Sequence, residues 1–297
     1  MGKEIKENIT TFSLPKVLRR HSIVKFLLQL GIISKEQLVL FNKNSFAYLN
    51  LEDPEPRNVF LKSFFDQDFF RIASNFLKQE GVFFDLGANH GLCTFGLLPK
   101  YKSAKFHLFE ANETLCKTIK RSTLLYSGKS FFINHACISD RTGFSKFHLE
   151  HNQTGQSHVA TNLEKGLEVK NLILDDYCIQ KNISEIDFVK IDLEGHELPA
   201  LKGWKNSLRN RVLRAIYIEI MPENQSRYNL NTKAPLEYLE SFGYELYLCK
   251  DEDFGFFGEN PKKYEMISKT LILSRFKSTE FPDDFATDVL AIASQKD

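Results

Sequence analysis

Apolar runs and helical segments alternate through the middle of the chain. Short runs rich in Val, Ile, Phe and Leu predict strands, and several intervals between them carry apolar residues at three- and four-residue spacing. Such alternation is typical of a doubly wound α/β sheet with parallel strands. Seven strands are predicted, at residues 82–86, 104–109, 131–138, 186–191, 212–221, 245–249 and 270–274, with intervening helices at 113–126, 196–208 and 235–242.

One interval departs from this alternation. Residues 140–175, between the third and fourth strands, carry polar turns and alternating apolar residues, which predict a β-hairpin insertion. Before the first strand, the spacing of apolar residues from Phe65 to Leu77 predicts a helix, with Asp66 as a candidate cap. Two prolines predict short extended pieces over residues 45–61.

The beginning of the chain differs from the rest in charge. Residues 1–35 hold seven basic and two acidic residues, a local net charge of +5. Residues 14–30 have the pattern of an amphipathic basic helix, which can make a weak peripheral contact with a membrane. We therefore expect a helical extension over residues 1–44 and a main domain over residues 45–297.

The overall composition argues against several classes of protein. At 297 residues and a net charge of +1, the chain lacks the basic surface that attracts nucleic acid. No stretch approaches the roughly 20 apolar residues of a membrane span. Five cysteines without a CxxC pair give neither a disulfide framework nor a zinc ribbon. We expect a cytoplasmic protein that does not bind nucleic acid; no feature indicates an oligomeric state.

A glycine-containing loop follows the first predicted strand. Ligands of open α/β sheets bind at the carboxyl ends of strands. Gly87 permits a sharp turn and close approach of a ligand, Gly91 lets the next helix start near the strand, and Asn89 can cap that helix. The spacing is neither G-x-G-x-x-G nor Walker A, so the loop fits a nucleoside without a pyrophosphate. Asp85 can accept a hydrogen bond from an ammonium group.

A carboxylate lies at the end of the second predicted strand. Glu110 follows Asp85 by 25 residues, and from a strand end it can accept hydrogen bonds from both hydroxyls of a ribose. The glycine loop and this carboxylate together predict an adenosine-type ligand.

A group of acids follows the fourth predicted strand. Lys190 lies within that strand, and we expect it to form an ion pair with Glu219, near the end of the fifth strand. Asp192, Glu194 and Glu197 come next, and so many acids at a strand end are costly unless they bind something. They can act as general base toward a hydroxyl or hold a divalent cation, a metal that the sequence does not specify.

Two histidines are alternative bases. His196 opens the helix after the fourth strand, and His90 lies in the glycine loop. A structural role is the more common one for such histidines. The catalytic base therefore stays open among Asp192, Glu194, His196 and Glu197.

These segments together resemble the FkbM family of S-adenosylmethionine-dependent methyltransferases, over roughly residues 45–275. At position 111 this chain has Ala where the family often has Pro, and this difference weakens only the assignment of the ribose site. The resemblance rests on residues 85–91, 109–110, 136, 139–140, 152–157 and 174–176, and most specifically on 188–197 followed by Leu-Lys-Gly at 201–203.

The resemblance implies a class I, Rossmann-like methyltransferase fold with S-adenosylmethionine as its cofactor. It also implies O-methylation of a hydroxyl on a small-molecule or glycan acceptor, such as a sugar or secondary metabolite. Ser157 and Asn152 of the insertion are candidates for hydrogen bonds to that acceptor. The residues expected around the cofactor are Asp85, Gly87, Ala88, Asn89, Gly91, Glu110, Ala136 and Asp192.

Two other functions stay open. Asp251-Glu252-Asp253 resembles the DxD metal motif of glycosyltransferases, which bind uridine or guanosine diphosphates. The other alternative is a non-catalytic module that binds S-adenosylmethionine and regulates a partner. Such a module would bind the cofactor without methylating any acceptor.

Overall fold

The computed structural model describes residues 15, 20–151, 153–161, 164–250 and 263–294. Its helices are α1 (His21–Gln29), α2 (Pro54–Lys62), α3 (Gln67–Ala73), α4 (Leu92–Leu97), α5 (Glu113–Thr123), α6 (Leu174–Lys181), α7 (Glu197–Lys202), α8 (Lys205–Arg209), α9 (Pro222–Arg227) and α10 (Ala234–Ser241). Its strands are β1 (Glu36–Phe41), β2 (Ser45–Asn50), β3 (Val82–Leu86), β4 (Lys105–Glu110), β5 (Ser130–His135), β6 (Cys137–Ile138), β7 (Phe144–His148), β8 (His158–Val159), β9 (Leu167–Leu172), β10 (Phe188–Ile191), β11 (Ala215–Ile220), β12 (Tyr244–Leu248), β13 (Lys263–Ser268), β14 (Leu271–Phe276) and β15 (Thr287–Ala293).

Within the described residues, the main sheet has nine strands in the order β13-β14-β12-β15-β11-β10-β3-β4-β5. The five strands from β11 to β5 are parallel, and β15, β12, β14 and β13 each pair antiparallel with their neighbour. The expected count of seven strands is therefore wrong, because β13 and β15 also belong to this sheet. A rule of strand–helix alternation does not anticipate β15, which inserts antiparallel between β11 and β12.

Successive residues of β3 point to opposite faces of this sheet, and each face carries its own core. Phe83 packs edge-on against Phe69 of α3 on one face. Phe84 packs against Trp204 on the other. Because helices cover both faces, the free space at the strand ends is left for the functional site.

Two acids cap the helices before β3. Asp66 accepts a hydrogen bond from the Phe69 amide at 2.9 Å, which confirms it as a cap of α3. Asp53 accepts from the Glu55 amide at 3.3 Å and caps α2. The extended pieces expected over residues 45–61 are wrong in their second half, since proline at the first helical position costs no hydrogen bond.

The insertion between β5 and β10 is a small sheet rather than a single hairpin. Its order is β6-β9-β7-β8, with β9 antiparallel to β7 and parallel to β6. The chain after β5 supplies β6 and so adds an edge that the alternation of residues 140–175 does not reveal.

The first described residues form α1 and the β1–β2 hairpin. Val24 of α1 is buried while Phe26 is exposed. The domain boundary expected at residue 44 falls in the turn between β1 and β2. The division into two domains stays a prediction. The membrane contact predicted for residues 14–30 also stays a prediction, and residues 14 and 16–19 lie outside the described part. Among the described helices, none has the length and apolarity needed to cross a bilayer.

Candidate active site

The loop after β3 comes very close to the loop after β10. Gly87 has φ of +72°, and a Cβ built there would lie 1.8 Å from the Asp192 carbonyl oxygen. The Gly87 and Ala88 amides both donate to the Phe109 carbonyl at 3.0 Å, which ties this loop to the end of β4. Only glycine permits that approach, so the strand ends of β3, β4 and β10 meet around one opening.

Glu110 lies at the edge of this opening and is 6% exposed. One carboxylate oxygen accepts from the Asn89 amide at 2.8 Å, and the other accepts from the Asn112 amide at 2.8 Å. Burial raises the pKa of Glu110 to about 7. Each oxygen keeps a lone pair, so the carboxylate can accept two further hydrogen bonds from neighbouring hydroxyls.

These strand ends and the insertion enclose a cleft, called here the cofactor cleft. Five of the residues expected around the cofactor line it: Gly87, Asn89, Glu110, Ala136 and Asp192. The insertion adds a wall that includes Phe147, Thr154, Ser157 and Val159.

The other expected residues support the cleft without lining it. Asp85 is fully buried and accepts from the Thr94 hydroxyl at 2.7 Å, while burial raises its pKa. Gly91 has φ of +74° and forms the N-cap of α4, in place of the capping role expected of Asn89. Ala88 faces a neighbouring chamber, described below.

Lys190 pairs with a different acid from the one expected. Its ammonium lies 2.7 Å from an Asp192 carboxylate oxygen, and the pair expected with Glu219 is not among the ion pairs that the described residues form within 4.0 Å. The register explains the correction. Lys190 lies opposite Tyr217, so Glu219 falls level with Asp192, two residues further along.

Three of the candidate bases line the cofactor cleft: Asp192, Glu194 and His196. Glu194 accepts from the Asn224 side-chain amide at 2.7 Å, and burial, with Asp192 nearby, raises its pKa to about 8. His196 is 7% exposed, and neither ring nitrogen has a hydrogen-bond partner within the described residues. Burial lowers the pKa of His196 to about 4, so the ring is neutral at pH 7.

Glu197 has a supporting position instead. It is 2% exposed and accepts from the Leu193 amide at 2.9 Å and from the Gly195 amide at 3.1 Å. A Gln225 side-chain amide also donates to it. These contacts fix the loop that presents Asp192 and Glu194.

Asp192, Glu194 and Glu219 form an acidic group whose carboxylate oxygens lie within 4.8 Å of one another. Such a spacing suits the oxygen ligands of a divalent cation. The charge of the nearby Asp192 carboxylate raises the pKa of Glu219 to about 10, and burial adds to this effect.

A second opening, called here the acidic chamber, lies beside the cofactor cleft and shares Asn89 and Asp192 with it. Its walls carry five acids, Glu55, Asp66, Asp192, Glu219 and Asp288, together with Lys190, Tyr217 and His90. The sequence does not predict Glu55, Asp66 or Asp288 as site residues, because they come from segments far apart in the chain.

Three distant segments meet at Thr154 of the insertion. The Asp53 carboxylate accepts from the Thr154 amide at 2.9 Å and from its hydroxyl, and Nε2 of His90 lies 3.7 Å from the same carboxylate. Ser157 accepts from the Glu150 amide at 3.0 Å, a turn contact, while lining the cleft. Asn152 and Asp251-Glu252-Asp253 lie outside the described residues.

This geometry agrees with what comparison with known proteins finds. The model of the methyltransferase FkbM domain matches residues 85–246, more than half of the chain, from Asp85 through β3, β4 and β10 to β12. The chain belongs to the FkbM methyltransferase family. Its fold is a Rossmann-like α/β fold with a large mixed sheet, and S-adenosylmethionine is its cofactor.

Two relatives of this FkbM methyltransferase are similar at low identity. The hexuronic acid methyltransferase AglP of Haloferax volcanii is 24% identical over 191 residues, 64% of this chain and 75% of AglP. The 2-O-methyltransferase NoeI of Sinorhizobium fredii is 24% identical over 189 residues, 58% of this chain and 76% of NoeI. The solved structure of M. jannaschii TYW2 in complex with AdoMet matches 87% of this chain and 86% of its own at 13% identity. Its TM-score of 0.38 is too low to add to the assignment.

Proposed function

We propose that this FkbM methyltransferase transfers a methyl group to a hydroxyl oxygen of a sugar, glycan or secondary metabolite. The observation that carries the proposal is the position of Asp192, which borders both the cofactor cleft and the acidic chamber. The printed names of two relatives support the acceptor class, since one acts on a hexuronic acid and the other at a 2-O position.

The cofactor cleft has the groups that an adenosyl ligand needs. Glu110 would accept hydrogen bonds from both ribose hydroxyls, and Ala136 would contact the base. The turn at Gly87 leaves room at the carboxyl end of β3, and Asp192 offers a negative charge. When bound, S-adenosylmethionine supplies a methyl group on a positively charged sulfur, and S-adenosylhomocysteine is the product that remains.

On the acceptor side, Asp192 is the proposed general base. Its carboxylate takes the proton of the acceptor hydroxyl, which frees an oxygen lone pair to form the new bond to carbon. Lys190, 2.7 Å away, orients the carboxylate and acts as a positioning residue. General-base catalysis contributes typically about 10²–10⁴-fold. The neutral ring of His196 can accept a hydrogen bond from another hydroxyl of the acceptor.

The direct test uses S-adenosylmethionine with a labelled methyl group and a panel of hydroxylated sugars. We expect S-adenosylhomocysteine and a labelled acceptor in equal amounts, with the label on oxygen. Binding of S-adenosylhomocysteine without a product from any acceptor would favour the non-catalytic module. Binding of uridine or guanosine diphosphate instead would favour a glycosyltransferase.

We also propose that the reaction takes place in the cytoplasm. All five cysteines are buried and free, as is usual in a reducing compartment.

A further inference from the structure

The acidic chamber is distinguished by the charge of its walls. Glu219 and Asp288 are direct partners across the antiparallel pair of β11 and β15, so their side chains share one face of the sheet. Asp192 comes from the adjacent strand end, and Asp66 and Glu55 come from the segment before β3. Carboxyl groups from several separate segments of the chain therefore line the space.

Few cations balance these acids. Among the described lining residues, Lys190 is the single ammonium group, and it is already paired with Asp192. Lys250 lies within electrostatic reach of Asp66 and Asp288 but is not a lining residue. The acids that line the chamber therefore outnumber its cations, which favours a cation or a neutral hydrogen-bonding ligand and disfavours an anion. Glu219, whose pKa is raised to about 10, takes part at pH 7 as a protonated hydrogen-bonding group.

Unpartnered polar atoms also mark this space as a binding site. Tyr217 is 3% exposed, and its hydroxyl lies beside the Asp288 carboxylate without a partner of good hydrogen-bond geometry among the described residues. His90 is 1% exposed, and its Nδ1 likewise has no partner in the described part of the chain. Buried polar atoms without partners are rare in folded proteins, and a polar ligand would supply the missing hydrogen bonds.

We propose that the acidic chamber receives the acceptor and selects an uncharged or amine-bearing polyol over one that carries a carboxylate. This inference rests on the proposed function, because it takes the shared residue Asp192 as the meeting point of the two substrates. Hydroxyl and ammonium groups can donate to the carboxyl oxygens of Asp66, Glu219 and Asp288. A carboxylate in the same place would meet like charges, so we expect the acceptor of this chain to differ from that of the relative named for a hexuronic acid.

The test uses the full chain saturated with S-adenosylhomocysteine and three matched sugars: methyl glucoside, glucosamine and glucuronate. Saturation-transfer NMR measures the affinity of each sugar, and calorimetry measures the affinity for S-adenosylhomocysteine. We expect glucuronate to bind at least about tenfold more weakly than glucosamine, with the glucoside between them. Asp288→Asn should narrow that gap by about threefold or more. Glu185→Gln is the matched control, since Glu185 is an exposed acid before the other end of β10, paired with Lys78.

Each result bears on the proposal. Glucuronate binding as tightly as the other sugars would overturn it, as would no binding of any sugar, or a gap that Asp288→Asn leaves unchanged. A parallel loss of S-adenosylhomocysteine affinity in Asp288→Asn would assign the chamber to the cofactor and also overturn it. Failure of the wild-type protein to bind S-adenosylhomocysteine would instead contradict the proposed function itself.

Discussion

The cofactor cleft and the acidic chamber lie side by side but differ in how they are built. The cleft is formed by the ends of β3, β4 and β10 and by the insertion, and Glu110 is the acid at its far edge. The chamber gathers carboxyl groups from β11, β15 and the segment before β3. A nucleoside suits the first environment and a polar, non-anionic acceptor suits the second. Asp192 lies in the wall that the two openings share, where the cofactor and the acceptor would meet.

The substitution Asp192→Asn tests whether that shared wall is the catalytic one. It keeps the shape of the side chain but removes the carboxylate that Lys190 orients. We expect kcat to fall by about 10²–10⁴-fold, with a much smaller change in the affinity for S-adenosylhomocysteine. Single-turnover kinetics and calorimetry measure the two effects. A kcat within threefold of wild type would move the base to Glu194 or His196.

The substitution Gly87→Ala tests the close approach on which the cleft depends. Its Cβ would collide with the Asp192 carbonyl oxygen, and its φ of +72° is unfavourable for alanine. We expect the free energy of unfolding to fall by about 3 kcal/mol, with weaker binding of S-adenosylhomocysteine. Gly128→Ala is the matched control, since Gly128 also has φ of +72° but nothing lies within 4 Å of its Cβ. There the expected loss is about 1 kcal/mol; equal losses in chemical denaturation would remove the steric argument.

The dependence of stability on pH tests the charge of the chamber. Burial raises the pKa of Asp288 from 3.8 to about 6 in the folded protein. The folded state therefore holds a proton that the unfolded chain releases, so this group costs stability as pH rises from its ordinary pKa to the raised one. We expect Asp288→Asn to be more stable than wild type by about 1 kcal/mol at pH 8, after allowance for solvent screening, and equal to it below pH 4. Denaturant titrations at both pH values check this; a variant less stable at pH 8 would contradict it.

The two regions also differ in how well local sequence predicts them. The loop from Asp85 to Gly91 and the acid at Glu110 directly follow strands, so their meeting at one edge of a parallel sheet could be predicted, and the family was recognised from the same residues. The position of Asp85, beneath the cleft and not in it, depends on side-chain packing that spacing does not reveal.

The acidic chamber depends on the register in which β10, β11 and β15 pair, and local sequence does not predict that register. The sequence does not predict β15, whose position between β11 and β12 brings Asp288 directly opposite Glu219. In the register of β10 with β11, Lys190 lies opposite Tyr217, so it pairs with Asp192 and not with Glu219, the expected partner. A helix over residues 54–62, in place of the extended pieces that two prolines suggested, brings Glu55 to the chamber wall.

The most direct test of the whole account is a calorimetric titration of S-adenosylhomocysteine into wild type and Glu110→Gln. The exposed Glu113→Gln, in the first turn of α5, serves as the control. Hydrogen bonds to a charged group contribute about 1.5–3 kcal/mol. We therefore predict that Glu110→Gln binds at least about tenfold more weakly, while Glu113→Gln binds like wild type. Equal affinity in wild type and Glu110→Gln would contradict the claim that this carboxylate holds the nucleoside.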